Sequence, residues 1–357
     1  MAYRTRNTKL WASHLPENPY NTAPATGADF DALVSNNPFY LLPTIDKTSD
    51  AGQIGTGSHF ATHLCNDYWS QPGVDLSTQI ALFEIYGRIW LRAFGGTVVD
   101  TVGSGGGHLH SAKMQSEADG SQLPGTSMIV ENGTEKVLET GMVVGQATLS
   151  KTRRDRPTLS YSLVGTANHV NPHTLTGLPA YTSGAQCPKS GITVQYTDEA
   201  ATVVDLGEQG CDFVDLAVSL NNQLLIGDRC PSDPELTMPI APPNGTANVV
   251  TRVQRQEQSL DIGFTFLLAA ENPEYDRYLM NTPLTNLKIG VKGGKVAAGT
   301  DVFEIGVVVP KFYFRAVQAT DNEGNASYGI AVEVIVQSVP ADMPVGYVRN
   351  DVASNFK

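Results

Sequence analysis

The chain has 357 residues, with 36 Asp and Glu against 24 Lys and Arg, a formal net charge of −12. That balance argues against a protein that grips nucleic acid through phosphate contacts, and 41% hydrophobic residues is too much apolar material for a disordered chain. With 34 Gly and 21 Pro but no collagen-like period, the chain must turn often, which predicts a mainly β fold.

Residues 1–45, rich in Asn, Pro, Thr and Ala, read as an extended arm draped over a neighbour, with little regular structure. Arg4, Arg6 and Lys9 are not followed by an apolar run, so no secretory signal is expected. The most apolar stretch, 80–94, is broken by Glu84, Gly87, Arg88 and Arg92, so no membrane span is expected either. Cys65, Cys187, Cys211 and Cys230 are too widely spaced for a disulfide scaffold or a zinc site and are expected as reduced thiols. The triplets beginning at Asn132, Asn244 and Asn325 then read as turns.

Leu82, Ile85, Tyr86, Ile89, Trp90 and Phe94 recur at three and four, which predicts a helix over 75–94, capped by Asp75 or Ser77 and stopped by Gly95 and Gly96. Gly87 inside it costs roughly 1 kcal/mol relative to Ala, consistent with a close backbone approach. Residues 97–145 are glycine-rich and polar and predict a long exposed loop or hairpin. Strands are expected at 142–149 and 158–165, on either side of the basic cluster Lys151 to Arg156. Pro and Gly punctuate 171–192, which places a boundary between two β units, 46–190 and 191–357.

In the second unit, 213–227 reads as a hairpin turning at Asn221 and Asn222, and 259–270 as an alternating strand. Asn272 as cap, Pro273 at the first helical position, and Glu274 and Asp276 in the first turn announce a short helix. Strands follow at 284–293, 301–317 and 327–339, the last two joined by the turn Asp321 to Asn325. Strands with one helix in each half suggest an internal duplication at the level of architecture.

The chemistry-bearing residues form no catalytic constellation. His59, His63 and Cys65 could ligate zinc only on a helix, and upstream Gly55 and Gly57 favour loop or strand. His108 and His110 would share a strand face, with no carboxylate near in sequence, and a solvated loop is expected; His169 and His173 flank a turn. Gly103 to Gly107 lacks the ending of a phosphate-binding loop and reads as flexible, and the Gly-Ser pairs at 57–58 and 103–104 do not complete an esterase elbow. Asp198 with Glu199, and Asp233 with Glu235, read as solvated acids. The 151–156 cluster has no interleaved aromatics and reads as an inter-subunit ion-pair site. No catalytic, cofactor-binding or metal-binding residue is assigned.

The stretch TIDKTSDAGQIGTGSHFATHLCNDYW (44–69) with the helix end LRAFGG (91–96) resembles the tail tube (major tail) proteins of long-tailed bacteriophages. So does the succession DLAVSLNNQLLIGDR (215–229), RVQRQEQSLDIGFTFLL (252–268), the short helix, and LTNLKIGVKGG (284–294). The resemblance covers about 40–110 and 210–340. It implies two tandem β-sandwich or barrel domains, each with a flanking helix, assembled as a homotrimeric, pseudo-sixfold ring or alternatively a homohexamer. Such rings stack into a virion tail tube, built in the host cytoplasm, through which genomic double-stranded DNA enters the host. It further implies tape measure and tail tip or terminator proteins as partners, no membrane insertion, no cofactor and no enzymatic activity.

Net charge agrees with that role: a ring of three would carry −36, three times the chain's −12, and lumenal acids would repel phosphate over roughly 8 Å at physiological salt. The arm 1–45 and the loop 97–145 are then the expected bridges between rings, so deleting 103–121 should leave a folded protein that cannot lengthen tubes. A capsid decoration or other minor virion protein is the alternative, and a metal-dependent hydrolase using His59, His63, His108 and His110 a remote one.

Overall fold

The computed structural model describes residues 8–18, 22–33, 45–49, 64–69, 73–78, 83–115, 122–132, 136–152, 155–165, 169–170, 172–181, 191–206, 213–226, 253–267, 273–296, 299–322, 325–335 and 342–352. In chain order they form β1 (Lys9–Ser13), a 3-10 turn at Gly27–Asp29, β2 (Phe30–Leu33), β3 (Ile45–Ser49), β4 (Leu64–Trp69), β5 (Gly73–Thr78) and α1 (Phe83–Phe94). Next come β6 (Val99–Val102), β7 (His108–Lys113), β8 (Thr126–Glu131), β9 (Lys136–Thr152), β10 (Thr158–Val164), β11 (His169–Val170), β12 (Ile192–Thr197) and β13 (Val203–Asp205). The chain continues with β14 (Phe213–Ile226), β15 (Val253–Leu267), α2 (Pro273–Leu279), β16 (Leu284–Lys295), β17 (Val302–Asn322), β18 (Asn325–Val334) and β19 (Val345–Asn350).

The fold is mainly β. Seventeen strands join in one antiparallel network that does not close, and β3 pairs with β4 apart from it. Pairing divides the network into three sectors. Sector I runs β5-β10-β9-β14-β15-β18-β17, and sector II runs β13-β12-β16-β17-β19-β7-β6. Sector III runs β2-β1-β8-β9-β11. The two longest strands change sector along their length, β9 near Met142 and β17 near Phe312. Sectors I and II close over one apolar cluster that includes Leu149, Val218, Ile262 and Ile330 from the first and Ile289, Val307 and Val348 from the second.

Helix α1 is part of that cluster, with Tyr86, Trp90 and Phe94 fully buried. The Trp90 indole N–H donates to the Gly306 carbonyl at 2.8 Å, and the Tyr161 hydroxyl donates to the Tyr86 carbonyl at 2.6 Å. A Cβ at Gly346 would lie 2.5 Å from the Phe94 ring, so only glycine lets the helix lie this close on β19. The helix ends as expected, with Gly95 at φ 81 just beyond it. It begins at Phe83 rather than near 75, because residues 73–78 are β5, whose Leu76 is buried against β10. Asp75 and Ser77, expected as caps, are residues of that strand.

Three further expectations are corrected. The arm is part of the fold: β1 lies between β2 and β8, with Leu10, Trp11 and Phe30 buried. Arg92, itself buried, donates to the carbonyls of Ser13 and His14 at 2.9 and 2.6 Å and to Thr126 at 2.9 Å, and Asp31 bridges Arg88 and His14. The expected exposed loop 97–145 contains β6, β7, β8 and the first part of β9, and all but the last residue of β8 are buried. Deleting 103–121 would therefore remove β7, an interior strand between β6 and β19, and could not leave the fold intact. Finally, β14 is continuous through Asn221 and Asn222. Asn222 is buried in the strand: its Nδ2 donates to the carbonyls of Ala93 and Val144 at 2.8 and 2.9 Å, and its Oδ1 accepts from Gln258 at 2.6 Å.

The expected strands 142–149, 158–165, 259–270, 284–293, 301–317 and 327–339 coincide in large part with β9, β10, β15, β16, β17 and β18. Helix α2 starts at Pro273 as expected, while its cap Asn272 lies outside the described residues.

One register occurs twice. Leu76 of β5 faces Tyr161 of β10, which faces Ala147 of β9; Phe264 of β15 faces Ile330 of β18, which faces Val317 of β17. Each long strand carries one extra residue where it enters sector I, Gly145 in β9 and Arg315 in β17. Each trio's first strand, β5 or β15, is followed by a helix, α1 or α2.

Candidate functional site

The outer face of sector I is built by strict alternation. Residues pointing inward are apolar, such as Leu76, Tyr161, Leu149, Val218 and Phe264. Their neighbours point the other way and are small and polar. In register across five strands, Ser77, Ser160, Thr148, Ser219 and Asp261 form one row, and Asp75, Ser162, Gln146, Asn221 and Ser259 the next. A third row runs Ser150, Ala217, Gly263, Ala331 and Ala316.

Hydroxyls couple across strands: Thr148 and Ser219 lie 3.3 Å apart, the Ser160 hydroxyl donates to Ser77 at 3.5 Å, and Thr320 and Ser327 lie 2.7 Å apart. The charges on this face are Asp75, Asp215, Glu257, Asp261 and Glu333 against Arg315. Arg315 lies 3.9 Å from Asp261, both more than half exposed, a pair worth well under about 1 kcal/mol. An open groove of about 610 Å³ crosses the face beside Thr152, Asp215, Thr265, Arg315 and Gln318. Among the described residues this face thus carries five carboxylates against one guanidinium, and the Tyr313 ring lies opposite Glu333 at its β17 end.

The face has two free ends. Among the described residues β5 pairs only with β10, and beyond Phe314 β17 pairs only with β18.

The histidines lie elsewhere. His59 and His63, and the Cys65 side chain, are outside the described residues. His108 and His110 belong to β7 rather than a solvated loop, and across from them β6 supplies a carboxylate distant in the sequence reading: Asp100 lies 3.4 Å from each Nδ1. The two rings stack with centroids 6.1 Å apart. His110 Nε2 lies 3.0 Å from the Asn350 side-chain oxygen and 3.1 Å from the Val352 carbonyl, so that nitrogen carries the proton. Burial pushes its pKa below the usual imidazole value, against the pull of Asn350 and Asp100. Burial likewise depresses His173, which lies 3.5 Å from Glu131; His169 is on β11. Among the described residues no three His, Cys, Asp or Glu side chains have the arrangement a metal ion needs.

The other motifs serve the fold. The Gly103 to Gly107 loop is not free: it wraps Asp301, whose Oδ2 accepts from the Gly107 N–H at 3.0 Å, and a Cβ at Gly103 or Gly105 would come within 2.5 Å of that carboxylate. The loop cradles an anion, but the chain's own. Lys151 is buried and donates to the carbonyls of Thr152 and Asp155 at 2.6 and 2.8 Å, closing the β9–β10 turn; Arg153 and Arg154 are outside the described residues. Asp198 and Glu199 are not simply solvated, since Arg277 of α2 reaches them at 3.4 and 3.0 Å. Arg277 also donates to the Tyr196 hydroxyl at 2.7 Å, which donates to buried Glu274 at 2.7 Å. Burial and Glu274 push the Tyr196 pKa up.

Sequence reasoning missed the Glu304 cluster in sector II, where Lys288 donates at 2.9 Å and Thr193 at 2.7 Å. Burial opposes ionisation of Glu304, yet these donors hold it below the usual carboxylate range. The outer face of sector I was legible in principle: Gln146, Thr148, Ser150 and Thr152, then Thr158, Ser160 and Ser162, alternate with apolar residues. No protein-family model and no curated protein matches the chain.

Proposed function

We propose that the chain is a structural virion protein: a tail tube subunit whose sector I lines the bore over which genomic DNA passes. The observation that carries this reading is a seven-stranded face, hydroxylic and net acidic, bounded by two strand edges that have no partner among the described residues. Duplex DNA bears one negative charge per about 1.7 Å of axis, so a bore must repel it weakly and uniformly. Ser, Thr, Ala and Gly with scattered carboxylates do so. Free edges give neighbouring copies a place to continue the sheet.

Size favours three chains. Three copies of seven strands at about 4.8 Å spacing give a perimeter of about 100 Å upright and about 130 Å at the usual barrel tilt. The backbones then stand about 30–40 Å apart, wide enough for a duplex of about 20 Å between short side chains. Six copies would double that width. The repeated register of β5-β10-β9 and β15-β18-β17 supports two tandem tube-type units per chain, which gives the trimer its approximate sixfold symmetry. In a virion tail, tape measure and terminator proteins are the partners that the resemblance to tail tube proteins implies.

Electron microscopy of the concentrated protein tests this: hollow filaments of uniform diameter with threefold rings are expected. Single chains under every condition, without rings or tubes, would overturn it.

A further inference from the structure

Resting on the tube reading, we infer that ring closure copies a junction already present inside the chain: the strand that ends in β3 adds to the edge of β17 of a second copy, as β14 adds to β9. The pairings of the chain repeat as a whole. The order β2-β1-β8-β9-β11 matches β13-β12-β16-β17-β19. Leu10 faces Val130, which faces Val137; in the second set Val194 faces Ile289, which faces Val307. Carried along β9 and β17, the same alignment sets Ala147 on Val317 and Thr148 on Gln318, where the pairings to β10 and β18 also agree.

The counterpart of β14 follows from the same comparison. Its last pairs with β15, Asn222–Gln258, Gln223–Glu257, Leu224–Arg255, Leu225–Gln254 and Ile226–Val253, recur as Ile45–Trp69, Asp46–Tyr68, Lys47–Asn66, Thr48–Cys65 and Ser49–Leu64. Even the skipped residue recurs, Gln256 in one strand and Asp67 in the other. β3 therefore stands for the end of β14, and β4 with β5 for β15. Counting back from Ile45, residues 38–44 take the place of 215–221, the part of β14 that pairs with β9. Phe39, Leu41 and Pro43 fall where β14 buries Leu216, Val218 and Leu220. Pro43 withdraws one ladder donor, so the junction between copies is looser than the one inside the chain. In this register 38–44 run beside β5 of their own copy. The edge of β17, without a partner there among the described residues, is at the opposite end of sector I, six strand spacings or about 29 Å away. One chain cannot join the two, and copies placed head to tail can.

The helices supply an independent sign. Where β14 passes the end of α1, Asn222 donates to the carbonyls of Ala93 and Val144. Val144 corresponds to Phe314. Beside Phe314, at the end of α2, there is instead a groove of about 490 Å³ lined by Tyr278, Asn281, Tyr313, Arg315 and Glu333. Next to it Leu279 and Met280 are 62% and 78% exposed, whereas Phe94 at the end of α1 is 0% exposed. In the place of Asn222 the arriving strand brings Ile45, an apolar residue for an uncovered apolar helix end. Each chain offers a strand at one end of sector I and accepts one at the other, a heterologous contact that closes when the rotation is right. Each copy then lines the bore with eight strands rather than seven, which widens the three-chain perimeter by about one seventh.

The test uses a photo-crosslinking amino acid in place of Gln318, in the full-length chain, with isotopically light and heavy copies mixed before assembly. Ser219 faces Thr148, so in assembled tubes a light–heavy crosslink to residues 38–44, centred on Leu42, is expected. Crosslinks to another segment, crosslinks to 38–44 within one copy only, or none, in tubes that do form would overturn the inference and leave the tube reading standing. Failure of the unsubstituted chain to form tubes would overturn both. If the Gln318 variant alone does not assemble, the same amino acid in place of Leu42 gives the reciprocal readout: a light–heavy crosslink to 316–320 is expected, and any other product overturns the inference. A further variant, Leu279→Asp with Met280→Asp, should keep the wild-type melting curve and raise the concentration needed for assembly at least tenfold. Assembly at the wild-type concentration would also overturn the inference.

Discussion

The two register-matched units of the chain differ in how they are finished. The first, β5-β10-β9 with α1, has its long-strand edge covered by β14 and its helix sealed by Phe94, Trp90 and Asn222. The second, β15-β18-β17 with α2, has the same pairing but, among the described residues, a long-strand edge without a partner and an exposed helix end. The same backbone plan is thus stable in one case by internal packing and left incomplete in the other. The difference lies in the covering strand, since the strands of the two units themselves superpose in register.

The sharpest way to break the comparison is at the helices. Trp90→Ala should cost about 3–5 kcal/mol of unfolding free energy by denaturant titration, because it empties a fully buried site and frees the Gly306 carbonyl. Asn222→Ala should cost about 1–3 kcal/mol by the same measurement, leaving the carbonyls of Ala93 and Val144 without their donor from β14.

Acid gives a graded test. His110 and His173 have folded pKa values lowered by burial from 6.5, so the unfolded chain takes up protons first as pH falls. Their contribution is complete above about pH 6.5 and is lost on acidification below it. The denaturation midpoint should fall between pH 7.5 and 5.5, and His110→Gln should flatten that fall. Glu304, held below 4.5, adds a separate loss at pH below that range. The smallest effect belongs to Leu279→Ala at the open helix end, where less than about 0.5 kcal/mol is expected for the single chain.

Much of this architecture was legible where one physical signal dominated. The 259–270 stretch alternates cleanly, with Leu260, Ile262 and Phe264 buried, and Pro273 with Glu274 and Asp276 marks the start of α2. Errors arose where composition stood in for pairing. The 97–145 segment is glycine-rich because Gly103 and Gly105 must pass close to Asp301, a partner nearly two hundred residues away that no local pattern reveals. Asn221 and Asn222 have turn chemistry, but the Asn222 amide is needed at the end of α1. Assigning Asp75, Asp215 and Asp261 to one face required the register of the strands, which no local pattern carries.

β9 is 17 residues long, about 55 Å of continuous backbone. It carries β8 and β11 at one end and β10 and β14 at the other. The amino-terminal hairpin cannot peel away without loosening the strands of sector I, so heat should melt the molecule in one step, with matching calorimetric and van't Hoff enthalpies. A pull on either end of the molecule would be shared through this single spar rather than concentrated at a joint.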